Sequence, residues 1–311
     1  MPVMKWRKTA MLFKLESTYG TDPTPSGAAN AVKVQNATYS PMEGQDLQMD
    51  YLLPYISADP SKPADLHSTL QFEVALVGSG TAGTAPAFGP ILRALGLAET
   101  IVASTSVTYN PVSDNHDSAT VYFNKDGIRY KGVGGRGTGT LTLNASGLPI
   151  LQVNMTFLYV QPADATMPVP DYTSWNEPVV VSDANSAFTI DGDAAVMRSF
   201  TFNLGNTVEP IFEVGDEQIA IVDRAETFDL QIRAGALSDF NPYALAEAGT
   251  TVPMVFTHEK ATAGRIITLT QPRVQLMRPG APTEAQGLVE WPLTAKPLPG
   301  SGNDQWTLAF T

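Results

Sequence analysis

Residues 69–97 carry the sequence TLQFEVALVGSGTAGTAPAFGPILRALGL, and residues 227–249 carry a shorter counterpart, TFDLQIRAGALSDFNPYALAEAG. In both, apolar residues alternate with polar ones before a glycine-containing turn. A period of two predicts a strand with one buried face. Each turn leads to Phe88-Gly-Pro90 or Phe240-Asn-Pro242, and proline suits the first turn of a helix. The chain is therefore predicted to contain a strand, a turn and a short helix twice.

The order of the other elements also favours a duplication. The helices are predicted over residues 90–97 and 242–248. After a shift of 140 positions, the apolar positions Leu151 and Val153 coincide with Trp291 and Leu293. Short alternating strands and closely spaced turn residues indicate a mainly β protein made of two tandem sandwich or barrel domains, each with one short flanking helix.

Composition divides the chain into four parts. Residues 1–29 are dense in Gly, Pro, Ser and Thr and are predicted to form an extended N-terminal arm. Residues 30–165 form the first predicted β-domain. Residues 166–186 are rich in proline, which is typical of a semi-rigid linker. Residues 187–311 form the second predicted β-domain.

Composition also excludes several classes of protein. The chain has 311 residues, 43% of them hydrophobic, and no cysteine, so disulfides and thiolate metal sites are excluded and folding in a reducing cytoplasm is expected. No apolar run is long enough for a membrane span or a signal peptide, and no membrane partner is expected. The net charge of −12 argues against a protein that binds nucleic acid through its phosphates.

The charge is distributed unevenly. The first fourteen residues hold Lys5, Arg7, Lys8 and Lys14 and no acid. Two excursions from the strand pattern are acidic: residues 42–66 carry five acids and one lysine, and residues 209–229 carry seven acids and one arginine. Excursions of this length in a compact domain are usually functional or disordered.

A glycine pattern suggests a nucleotide site, but its context argues against one. Residues 78–83 match GxGxxG after a strand, and Glu99 follows at about the distance of a ribose-binding acid. However, Gln71 and Glu73 interrupt a strand that such a fold would bury on both faces. Prolines delay the helix, and the second copy of the stretch lacks the loop. A second GxGxxG, residues 132–137, precedes an alternating strand and is predicted to be a hairpin or bulge.

No catalytic, metal or cofactor site is predicted. The three histidines, His67, His116 and His258, have no metal-ligand spacing. The acidic residues around 183–193 fail the EF-hand pattern. A pair of carboxylates acting on a glycosidic bond stays open. A nucleotide- or carbohydrate-binding β-protein is therefore the alternative function.

Several phrases together resemble a known family. They are FKLESTYGTDPTPSGAANAV (13–32), LQFEVALVGSGTAGTAPAFGPILRALGLAET (70–100), SATVYFNKDG (118–127), GGRGTGTLTLNASGLPILQVNMTFLY (134–159) and PDYTSWNEP (170–178). In this order they resemble the major tail tube proteins of long-tailed, siphovirus-type bacteriophages. The resemblance covers most of residues 12–180 and is weaker towards the C-terminus.

The resemblance implies a structural virion protein rather than an enzyme. It implies subunits that form rings, a long hairpin from each domain that lines a channel, and rings that stack through loops and terminal arms into a tube for DNA ejection. The protein would be made in the host bacterial cytoplasm. Its partners would be other copies of itself, the tape measure protein, and the tail terminator and distal tail proteins. Another virion component, for decoration or in the baseplate, is a further alternative.

The acidic excursions then become candidate channel hairpins. A wall with the same charge sign as DNA repels phosphates at short range, because salt screens the interaction beyond about 10 Å. DNA would pass without specific binding. The candidate channel-lining residues are Glu43, Asp46, Asp50, Asp59, Glu209, Glu213, Asp216 and Glu217. The candidate ring-stacking arm comprises Lys5, Trp6, Arg7, Lys8 and Lys14.

The resemblance also bears on the number of chains in a ring. Rings of this family look six-fold in tube domains, so two domains in each chain favour homotrimeric, pseudo-hexameric rings. A ring of six chains, with the second domain on the outside, is the alternative.

Overall fold

Twenty strands and three short helices make up the described part of the chain, residues 3–311 of a computed structural model. Met1 and Pro2 of the predicted arm lie outside the described residues. The first half contains β1 (Thr9–Leu15), α1 (Gly27–Asn30), β2 (Ala31–Val32), β3 (Gln35–Gln48), β4 (Ser61–Ala75), α2 (Gly89–Ala94), β5 (Leu97–Val102), β6 (Ser106–Pro111), β7 (Ala119–Lys125), β8 (Ile128–Thr142) and β9 (Ile150–Asp164).

The second half contains β10 (Ser186–Ile190), β11 (Asp193–Ala194), β12 (Met197–Asn203), β13 (Asn206–Glu213), β14 (Asp216–Arg224), β15 (Thr227–Arg233), α3 (Pro242–Ala248), β16 (Thr251–His258), β17 (Ile267–Leu276), β18 (Thr283–Ala285), β19 (Leu288–Pro297) and β20 (Thr307–Phe310). Strands β13 and β14 form a two-stranded sheet, and the other eighteen strands are connected in one sheet. The prediction of a mainly β protein is confirmed.

The two halves have the same strand order. In the first half, antiparallel pairing runs β1–β7–β8–β9–β4–β3. In the second half it runs β10–β16–β17–β19–β15–β12. Each helix of the duplicated stretch follows the corresponding strand, α2 after β4 and α3 after β15. Even a β-bulge recurs, between Ala119 and Val121 and between Val252 and Met254. The sequence repeat is thus also a repeat of topology.

The alternating residues of both stretches form the centre of the core. Leu70, Phe72 and Val74 of β4 are buried, as are their counterparts, Phe228, Leu230 and Ile232 of β15. All of them belong to one apolar cluster that runs through both halves. Burying side chains of this size stabilises the fold by about 1.5–3 kcal/mol each.

Strand pairing joins the halves at two places. Residues 140–142 of β8 pair with residues 201–203 of β12, and we call this pairing the inter-half seam. Strand β20, at the C-terminus, pairs with β6 of the first half. The two predicted domains therefore share backbone hydrogen bonds across the predicted linker at residues 166–186. The domain boundaries stay a prediction.

Two local predictions are corrected. Residues 9–15, part of the predicted extended arm, form β1 and pair with β7 along its whole length. Met11 and Phe13 belong to the main core, whereas Leu12 packs in a second cluster with Ala31 and Tyr122. Because both faces of β1 are buried, its apolar run shows no alternation from which a strand could be recognised.

The helix predicted over residues 90–97 is shorter than expected. It covers Gly89–Ala94, and Leu97 already begins β5. Gly96 has a φ of +77°, a conformation that favours glycine and is common just after a helix. The helix predicted over 242–248 has the predicted bounds.

Both glycine patterns allow close packing of the backbone. The first loop packs on the second half, since Gly80 N donates a 3.0 Å hydrogen bond to Gly264 O, and a Cβ at Gly78 would meet that same carbonyl. The second pattern lies inside β8 and contains a β-bulge between Val133 and Arg136. A Cβ at Gly135 would collide with the ring of Phe157, which is fully buried.

Gly135→Ala is therefore expected to destabilise the fold by about 1–3 kcal/mol, because the buried Phe157 ring has no room to move. The measurement is the free energy of unfolding in urea. Gly235→Ala is the matched control, because nothing lies within 4 Å of a Cβ at that position. Equal stability of the two variants would show that β8 does not pack on Phe157 as described.

Candidate functional site

The first acidic excursion is a long hairpin formed by β3 and β4, with a connecting loop of residues 49–60. Glu43 lies on the polar face of this hairpin, where its carboxylate accepts a 2.9 Å hydrogen bond from Thr69 Oγ1 and lies 3.7 Å from His67 Nε2. Asp46 is exposed on β3. Asp50 and Asp59 lie in the connecting loop, so the four predicted acids do not share one strand face.

The connecting loop of this hairpin is strongly apolar at its surface. The exposed large apolar residues at or near this tip are Leu47, Tyr51, Leu52, Leu53, Tyr55 and Ile56. Exposed apolar patches of this kind mark interaction surfaces in folded proteins. Counting charges along the sequence missed this feature, although the run Tyr51-Leu-Leu-Pro-Tyr-Ile56 could have revealed it.

The second acidic excursion contains the separate β13–β14 hairpin. Its register pairs Glu213 with Asp216 and Glu209 with Ala220. Because side chains alternate across a strand, Glu209, Glu213 and Asp216 share one exposed face, which we call the acidic face. Glu217 pairs with Phe212 and points to the opposite face. The structure therefore brings three of the four predicted acids together and separates the fourth.

The opposite face of this hairpin packs on the first half. Ile219 is fully buried there. Its backbone N–H donates a 2.6 Å hydrogen bond to the Tyr19 hydroxyl, and its carbonyl accepts a 2.8 Å hydrogen bond from Arg136 Nη1. Arg136 Nη2 also donates to His116 O. The acidic face is thereby held outwards.

The base of the hairpin is fixed by Asn206 and Arg224, which together with Arg136 we call the hairpin anchor. The buried Asn206 Nδ2 donates to Leu95 O at 2.7 Å and to Gly137 O at 2.9 Å. Its Oδ1 accepts a 2.7 Å hydrogen bond from Arg224 Nε. The donor and acceptor groups of the Asn206 amide are thus hydrogen-bonded inside the protein, as burial of a polar group requires.

The positive charge of the hairpin anchor comes from its two arginines, Arg136 and Arg224. Burial lowers the pKa of both guanidinium groups, yet arginine remains charged at neutral pH. Burial, followed by the neighbouring Arg224 and Arg136, lowers the pKa of His116 from its ordinary value, against a hydrogen bond to Val112 that raises it. His116 is therefore neutral at pH 7 and adds no third positive charge.

The two hairpins are neighbours. The His67 ring of β4 lies 6.3 Å from the Phe212 ring of β13, measured between centroids. The two hairpins therefore meet through the face of β13–β14 that lies opposite the acidic face, a proximity that sequence separation could not show.

The predicted basic arm folds back on its own chain. Asp126 accepts hydrogen bonds from the backbone N–H of Lys5 at 2.6 Å and from Lys8 Nζ at 2.5 Å. The hydrogen bond from Lys8 lowers the pKa of Asp126. The Lys125 ammonium lies 2.9 Å from the centroid of the Trp6 ring. Arg7 is exposed.

Lys14 stands apart from the other members of the predicted arm. It lies in β1, and its Nζ donates to the carbonyl of Pro23. The structure therefore separates Lys14 from the residues around Trp6.

Between residues 3 and 311, no group of three His, Asp or Glu side chains is arranged to hold a metal ion. Within the same range, no helix combines the length and apolar character needed to cross a bilayer.

A family model described as "Phage tail tube protein" matches residues 6–306. A comparison with curated proteins gives no match.

Asn206→Ala should release the β13–β14 hairpin. The carbonyls of Leu95 and Gly137 lose their donor, and each unsatisfied buried group costs about 1–3 kcal/mol. We expect faster hydrogen exchange at the amides of residues 207–223. Asn203→Ala is the control, because that exposed side chain accepts only a local bond from Gly205 N. Unchanged exchange in Asn206→Ala would contradict the anchoring role.

Proposed function

The chain belongs to the phage tail tube protein family, which makes it a structural protein of the phage tail, and we propose that it polymerises into stacked rings. The stacked rings form a tube through which the genome is delivered. The observation that supports this most strongly is the pair of neighbouring acidic hairpins, one from each half of the repeat.

The repeat provides a geometric route to a ring. Strand β12 is hydrogen-bonded on both sides, to β15 and, through the inter-half seam, to β8. Its counterpart β3 pairs only with β4 among the described residues. One edge of β3 is thus available for a further strand, and unpaired edges are templates for association.

The other side of this contact follows from the same repeat. Gly137 pairs with Met155 in the first half, and Leu276 pairs with Ala295 in the second. Met155 and Ala295 correspond under the shift of 140 positions. Residues 279–281, Pro-Gly-Ala after the end of β17, therefore correspond to residues 140–142 of the inter-half seam. A second copy that places its β3 against residues 279–281 would extend β17 through them and repeat the seam between chains.

Repetition of this seam alternates first and second halves around a ring. Three chains then supply six similar units, which favours a homotrimeric, pseudo-hexameric ring over a ring of six chains. Each chain would contribute both hairpins to the channel. In a tube of such rings, the tape measure protein would lie inside the channel, and the tail terminator and distal tail proteins would bind at the two ends.

The acidic face gives the channel its surface chemistry. Carboxylates repel DNA phosphates within a Debye length of about 10 Å and leave no cation to hold them. DNA then passes without specific binding. The apolar tip of the β3–β4 hairpin fits burial against the next ring better than exposure to a water-filled channel. We therefore assign Glu43 and Asp46, but not Asp50 and Asp59, to the channel wall.

Tube formation tests the proposed function. Concentrated protein should form open tubes visible by negative-stain microscopy. Tyr39 pairs with Leu70 as Phe202 pairs with Phe228, so Ala37 corresponds to Phe200. Ala37→Pro should abolish the tubes, because the backbone of Phe200 exchanges hydrogen bonds with Leu143 next to the inter-half seam, and proline has no N–H to donate. A folded Ala37→Pro chain that still forms tubes would contradict the edge contact. Wild-type protein that stays monomeric, or melts at higher temperature with a nucleotide or sugar, would contradict the function.

Reversing the charge of the acidic face should impair genome delivery. In assembled particles, Glu213→Lys with Asp216→Lys is expected to slow or abort DNA ejection, because lysines on the wall bind phosphates. Glu217→Lys is the matched control, since Glu217 lies on the opposite face of the same hairpin. The measurement is the rate of DNA release at several salt concentrations. Equal rates in the two variants would remove the acidic face from the channel.

A further inference from the structure

We infer that an open groove in the second half binds Trp6 of a neighbouring copy. This inference rests on the proposed self-assembly and names the contact that the N-terminal arm makes in it. It comes from comparing one groove in the two halves of the repeat.

In the first half the groove is occupied by the chain itself. Trp175, from the segment that precedes β10, packs against the core of the first half. Its Nε1 donates a 3.1 Å hydrogen bond to Ala31 O, and its ring lies 6.4 Å from the Phe88 ring. The next residue, Asn176, donates to Gly78 O at 2.9 Å. A tryptophan and its neighbour thus narrow the space between β2 and α2 to a pocket of about 220 Å³.

In the second half the corresponding groove is open. Asn30-Ala-Val32 recurs as Ala194-Ala-Val196, which equates Ala31 with Ala195, and Phe-x-Pro equates Phe88 with Phe240. Both counterparts line a groove of about 950 Å³. Its apolar walls include Leu245 and Trp291.

The segment after β19 does not fill this groove. It forms β20, which pairs with β17 and β6. Trp306 lies with its ring 5.2 Å from Phe202, away from the groove. Among the described residues, no side chain takes the place that Trp175 has in the first half.

The rim of the open groove is acidic. Asp191, Asp193 and Asp239 line it and are exposed, and Arg233 is the one basic residue among the lining side chains. The groove therefore suits an aromatic side chain that is flanked by positive charges.

Trp6 has this chemistry. It is 80% exposed, whereas the other three tryptophans, Trp175, Trp291 and Trp306, are buried or half-buried. Lys5, Arg7 and Lys8 surround it in sequence. The other exposed apolar segment, the loop of residues 49–60, carries Asp50 and Asp59 and would place like charges against the rim.

The position of Trp6 in the repeat agrees with this assignment. The segment before β10, the first strand of the second half, covers the groove of the first half. The arm before β1, the first strand of the first half, takes the equivalent place when the next copy is added. Trp6 is three residues before β1, and Trp175 is eleven before β10. The neighbouring β1 must accordingly approach the groove closely.

Cysteine cross-linking tests the contact directly, because the chain has no native cysteine. Two single variants, Met4→Cys and Leu237→Cys, are mixed and co-assembled. Met4 is exposed two residues before Trp6, which stays in place, and Leu237 lines the groove. Oxidation should then link two chains to each other. Met4→Cys mixed with Val214→Cys is the control, since Val214 is fully exposed at the turn of the other hairpin.

Assembly thermodynamics provides the second measurement. Trp6→Ala should raise the critical concentration for tube formation at least about tenfold, as for a buried tryptophan at the centre of a contact. Asp191→Lys with Asp239→Lys should do the same, and adding Lys5→Glu with Arg7→Glu should restore assembly. Tubes of the mixed Met4→Cys and Leu237→Cys variants that give no cross-link, together with unchanged assembly of Trp6→Ala, would overturn this inference alone. Failure of the wild type to form tubes would overturn the proposed function instead.

Discussion

The contact on which the rest of the structure depends is the inter-half seam, where residues 140–142 pair with residues 201–203. It joins two copies of one fold into a continuous sheet, and the hairpin anchor lies beside it. Asn206 reaches across to Leu95 O and Gly137 O, and Arg224 reaches Gly96 O. Because these bonds are buried, the second hairpin cannot move independently of the first half. The seam therefore fixes both the spacing of the repeat and the direction of its acidic face.

Much of this arrangement could be predicted from the sequence. The alternation of Leu70, Phe72 and Val74, and of their counterparts in β15, reported strands with one buried face, and all six are buried. The Phe-x-Pro sequences located both helices. β1 escaped prediction because both of its faces are buried, so an apolar run replaced the alternation. The hairpin anchor could not be predicted either, because Asn206 and Gly137 are distant in sequence and a single asparagine is not part of any recognisable pattern.

The charges in the sequence predict that the hairpins are acidic, but they do not predict which face of each hairpin carries the acids. The register separates Glu217 from Glu213 and Asp216, although all three lie within five positions of one another. The first hairpin combines polar strands with an apolar tip, which suits two environments at its two ends. Within the proposed tube, the strands would face DNA while the tip is buried by the next ring. A charge count cannot distinguish these environments because it ignores which side of a strand a residue occupies.

The claim that the inter-half seam is repeated between chains is tested most directly by the mass of one ring. Rings released from tubes after light cross-linking and weighed by native mass spectrometry should contain three chains of 33.2 kDa, about 100 kDa. A ring of six chains, about 200 kDa, would contradict the claim, because the second half would then lie outside a ring built from the first half alone.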